Sequence, residues 1–115
     1  MTEHMRQKED MQQAKRSLAD LEAFLDLMRA STPQVRAREL HWLPALRWAI
    51  AMATKSHSYV MDHFSRFDAA CRLLARSRPP TEFSESRTIS DAIGDVMQIR
   101  EALHEIGLVE RDTFG

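Results

Sequence analysis

Five histidines, one cysteine and a scatter of carboxylates are the residues of this chain able to do chemistry, so their spacing comes first. The histidines are His4, His41, His57, His63 and His104. No two stand in an HxxH or HxxxH relation, so no helical turn offers a pair of imidazoles to a metal ion. Glu101-x-x-His104 has the spacing of one half of a di-iron carboxylate site. Such a bundle needs a second copy of the motif and two further inward glutamates, and the chain has no second copy. Cys71 is the single cysteine, which excludes an intrachain disulfide and a cysteine zinc cage. Its place on an apolar arc between Phe67 and Leu74 reads as a buried, inert thiol. His57, central on the same arc, reads as a histidine hydrogen-bonded in a core or interface. Serine, histidine and aspartate form no triad, and no glycine-rich loop is present to cradle a phosphate. The expectation is a protein with no catalytic, cofactor or metal site, and not an enzyme.

The scaffold that must position these residues is bounded by composition. A chain of 115 residues with 3 Gly and 4 Pro is one domain's worth and too poor in turn residues for a many-stranded sheet. The fold class expected is all-α: a small helical bundle with one long helix. The longest apolar run, around Trp48–Met52, falls far short of the roughly 18 residues of a membrane span. The first residues, MTEHMRQKEDMQQAKR, lack the apolar stretch of a secretory signal, so a cytoplasmic location is expected.

Four helices are predicted, over about residues 2–30, 33–42, 44–77 and 88–106. In the first, Met11, Ala14, Leu18, Leu21, Leu25 and Met28 recur at steps of three and four, a heptad seam widened by Phe24. Thr32 caps and Pro33 opens the second. Pro44 either kinks a continuous helix or opens the third. The third has no internal Gly or Pro and is stopped by Pro79-Pro80. One arc of it carries Leu46, Ala49, Ile50, Ala53, His57, Val60, Phe64, Phe67, Cys71 and Leu74. A second arc carries Trp48, Met52, Tyr59, His63 and Ala70. Residues 79–87 read as a polar connector anchored by Phe83, with Thr88 and Asp91 as a capping box for the last helix. Gly107 followed by Leu108 fits a Schellman ending, and the final ERDTFG reads as frayed.

A straight helix over 44–77 would be roughly 51 Å long, whereas a compact chain of this size is about 35 Å across. A second copy covering the excess is the expected remedy. The reading is a two-fold homodimer through Leu18, Leu21, Leu25, Met28, Val60 and Phe64.

Net charge is −1, which argues against a nucleic-acid binder driven by bulk charge. The distribution is uneven: Arg36, Arg38, Arg47 and Lys55 mark a basic middle, while the charged residues after Thr81 are eight acidic to three basic. The densest unusual composition is RELHWLPALRWAIAMA, where Trp and Arg, the residue types of binding hot spots, surround a proline break. Candidate partner-binding residues are Trp42, Leu43, Arg47, Trp48, Tyr59, His63 and Phe67; an equal reading has Trp42 and Trp48 close the core where the second and third helices turn.

In length, helix content and the stretch LHWLPALRWAIAMATKSHSYVMDHFSRF, the chain resembles the bacterial quorum-sensing antiactivators. That resemblance implies a small cytoplasmic homodimer that docks on the ligand-binding domain of a LuxR-type transcription activator. The activator's own dimerisation is then blocked and it no longer binds DNA. The alternative is a helical DNA-binding or nucleoid-associated regulator, with Arg36, Arg38, Arg47 and Lys55 flanking a helix–break–helix.

Overall fold

A computed structural model describes residues 3–76 and 82–109. Among them every regular element is helical: α1 (Glu3–Ala30), α2 (Pro33–Glu39), a 3-10 turn (Leu40–Trp42), α3 (Leu43–Thr54), α4 (Ser58–Leu74) and α5 (Glu82–Glu105). The all-α expectation is met. The Pro79-Pro80 stop and the terminal ERDTFG lie outside the described residues, as does the side chain of Phe83.

The heptad seam of α1 forms one wall of the core. Ala14, Leu18, Leu21, Phe24, Leu25 and Met28 are all buried against α3 and α5. Phe24 meets Phe67 of α4 edge-on, with ring centroids 6.2 Å apart, and Phe64 lies 6.0 Å from Phe67. Ala92, Val96, Ile99 and Leu103 of α5 close the other side. The six residues expected at a dimer seam, Leu18, Leu21, Leu25, Met28, Val60 and Phe64, therefore fill the chain's own core. At 0–7% exposure they have no surface left for a second copy.

The largest correction concerns the third helix. It is two helices, folded back at Lys55-Ser56-His57, and the long element of the fold is α1 instead. Lys55 and Ser56 both adopt positive φ, 53° and 55°, without a glycine. The Ser56 N–H donates to Ala51 O at 2.8 Å, closing α3 as a left-handed cap normally does. Thr54 secures the turn: its hydroxyl donates to Ile50 O at 2.8 Å and accepts from the His57 N–H at 3.3 Å. With the helix broken, neither half overhangs the domain, so the length-based reason for a covering partner lapses.

Other helix ends follow local chemistry more closely. Thr32 Oγ1 accepts from the Val35 N–H at 3.3 Å and Pro33 occupies the first turn, as expected. Pro44 opens α3 directly after the 3-10 turn. Gly107, at φ 79°, ends α5 with the Schellman pair: Leu108 N–H to Leu103 O, and Gly107 N–H to His104 O. The capping box at Thr88 does not form. Residues 82–87 are already helical, and the Thr88 hydroxyl donates back to Ser84 O at 2.8 Å.

Arg36 joins the pieces. It is 2% exposed, and its Nε donates to Met28 O at 2.6 Å, near the end of α1. Nη1 donates to Leu74 O, the last residue of α4, at 3.2 Å, and Nη2 pairs with Glu85 Oε1 of α5 at 2.9 Å. Helix C-termini carry unsatisfied carbonyls and partial negative charge, so one guanidinium answers two of them at once. Arg36→Ala strands these acceptors and is expected to cost about 3–5 kcal/mol. Arg36→Lys keeps the charge but loses the planar fork, and recovers only part of that stability. Thermal or urea unfolding of both variants checks the order. Lys55→Gly relieves a left-handed strain of about 1–2 kcal/mol against a smaller entropic cost, so it stabilises, whereas Lys55→Val destabilises.

Candidate functional site

The helices divide the seven residues expected to bind a partner into two groups. Leu43 and Phe67 are fully buried and belong to the core. Arg47 is drawn toward α4: it donates to Ser65 Oγ at 3.2 Å, pairs with Asp68 at 3.6 Å and lies 5.0 Å over the Phe64 ring. His63 bridges α4 to α5, its Nδ1 2.9 Å from Asp95 Oδ1, with both side chains largely buried. Tyr59 packs edge-on against His63 and donates to Gln98 Oε1 at 2.8 Å, though the residue stays 46% exposed. These five hold α3, α4 and α5 together.

Trp42 and Trp48 behave differently. They are 52% and 65% exposed, and Met52, one turn beyond Trp48, is 59% exposed. The steps 42–45–48–52 place them, with exposed Ala45, along one outward face of the 3-10 turn and α3. The opposite face of α3 carries Leu43, Ile50 and Ala53, all buried. The physical cause is compositional. Leu43–Thr54, LPALRWAIAMAT, contains one charged residue, so whichever side does not pack inward must still present apolar groups to water. Leu73, Met97 and Ile106 are also exposed, on α4, α5 and the turn after α5, which is ordinary for a protein surface. Trp42, Trp48 and Met52 instead fall on one face of the 3-10 turn and α3.

Little else gathers chemistry. Among the described residues no three His, Cys, Asp or Glu side chains come together as a metal site. His57 is not a hydrogen-bonded core histidine. It is the half-buried residue preceding α4, and its Nδ1 has no hydrogen-bond partner among the described residues. Cys71 is fully buried. Burial, with Asp68 adding to it, pushes its thiol up from 9.0 to about 12. No described helix is long and apolar enough to cross a membrane. Of the four cations expected to face DNA, Arg36 is enclosed and Arg47 is tied to Asp68, leaving Arg38 and Lys55 exposed.

Fold and surface together define a small all-α protein with a folded core and one apolar helix face turned outward. Comparison with protein-family models, with curated proteins and with solved structures returned no match.

The Cys71 thiol is expected to stay unreactive toward a disulfide reagent at pH 8 until the chain unfolds. Above pH 9 the unfolded thiol releases its proton while the folded one holds it to about 12, so Cys71 makes stability fall as pH rises across that range. Cys71→Ala, which removes the titrating group, is expected to flatten that decline in denaturant titrations.

Proposed function

We propose that this chain is a non-enzymatic regulatory interaction protein that docks another protein on the outer face of the 3-10 turn and α3. The observation that carries this reading is the exposure of Trp42, Trp48 and Met52 on one face while the core is complete without them. Tryptophan supplies large contact area at low entropic cost and is among the residue types that dominate interface energies, and Met is enriched at such surfaces. The resemblance to the quorum-sensing antiactivators supplies a named candidate. The strip would seat on the ligand-binding domain of a LuxR-type activator, prevent its dimerisation and so keep it off DNA. An activator's dimer surface is itself apolar, and an exposed helix face is a physical substitute for one.

Trp42→Ala and Trp48→Ala are expected to fold like the parent, within about 0.5 kcal/mol, because neither indole is buried. Each is expected to weaken partner capture by about thirtyfold or more, equivalent to roughly 2 kcal/mol. Affinity capture with a purified LuxR-type ligand-binding domain, read beside the activator's DNA binding, tests the specific partner. Undiminished capture by both folded variants places the docking surface elsewhere.

A further inference from the structure

We propose that the occupant of the α3 outer face is an acidic amphipathic helix of another protein; this rests on the docking role above and specifies the partner's chemistry. The chain has no Asp or Glu between Glu39 and Asp62. Arg38 and His41 are exposed at the leading end of the apolar strip, and Lys55 is exposed at its trailing end. Arg47 lies on the flank turned to α4 and is answered there by Asp68. The strip therefore has a cation at each end, and the one carboxylate between those cations is the half-buried Glu39 beside Arg38.

From Trp42 to Met52 the strip is roughly 15 Å long, about three turns of a partner helix. A helix laid along it meets Trp42, Trp48 and Met52 with side chains spaced i, i+3/i+4 and i+7. Glu or Asp beside that stripe then falls against Arg38 and Lys55. Such complementarity steers the encounter and selects among partners.

The same charges disfavour two other occupants. A second copy packed α3 on α3 in antiparallel fashion sets Arg38 against the other copy's Lys55, and parallel pairing sets each cation against itself. Either alignment opposes like charges across an interface. A lipid surface is held by clusters of about four to eight basic residues, and this face exposes two.

The test is selection, on the whole chain, from a displayed library of helical peptides with a fixed apolar stripe and randomised flanks. Trp42 and Trp48 are the only tryptophans, so indole emission reports binding at this face. Recovered peptides enriched in Asp and Glu, each shifting the emission to shorter wavelength, are the expected result. Arg38→Glu with Lys55→Glu should weaken these peptides about tenfold and leave the fold unchanged by circular dichroism. Recovered flanks that are neutral or basic overturn the acidic partner while the docking role stands. Recovery of no peptide overturns both. An emission shift caused by phosphatidylserine vesicles alone, or one growing with the chain's own concentration, replaces the proposal with a lipid or a second copy.

Discussion

One buried cation organises this fold. Arg36 comes from the shortest α-helix, yet it touches the ends of α1 and α4 and a carboxylate of α5. Bringing a guanidinium out of water is costly, and that cost is recovered only if its donors meet acceptors. Here they meet two helix-terminal carbonyls and a carboxylate. The geometry thereby fixes where α1 stops, where α4 stops and how α5 lies across both. The apolar seams supply the attraction between helices, and directional contacts of this kind add to the packing that holds their register.

Local rules written in single residues were legible from sequence. The Thr32–Pro33 start and the Gly107–Leu108 end could be read because each rests on backbone chemistry a few residues long, whereas at Pro44 the sequence left a kink and a new helix equally open. The α1 seam was equally plain from its spacing, but periodicity alone cannot say whether a stripe faces its own chain or another. The break at Lys55 escaped because it uses neither Gly nor Pro. The polar cluster Thr54–Lys55–Ser56–His57–Ser58 was its only trace, since Ser and Thr hydroxyls compete for backbone groups at turns. Arg36 escaped for a different reason. Its partners are 8, 38 and 49 residues away, and an isolated arginine in a basic stretch reads as surface.

The candidate site was legible in outline. Trp42 and Trp48, which the sequence left between core and interface, stand outside, whereas Leu43, His63 and Phe67 were claimed by the fold. The difference follows from the turn at Lys55. A continuous helix would have set α3 and α4 on a single axis with one shared apolar sector. Folded back, α4 takes the central place against α5, and α3 is left at the margin with half of its apolar circumference unused.

That marginal position has a spectroscopic consequence. With Trp42 about half exposed and Trp48 more so, unfolding changes their surroundings less than it would a buried indole's, so a tryptophan trace of a denaturation experiment would understate the loss of the core. The fully buried Cys71 has the opposite habit, silent at the surface and revealed when the helices part. The chain thus holds separate native reporters weighted toward its exterior and its interior.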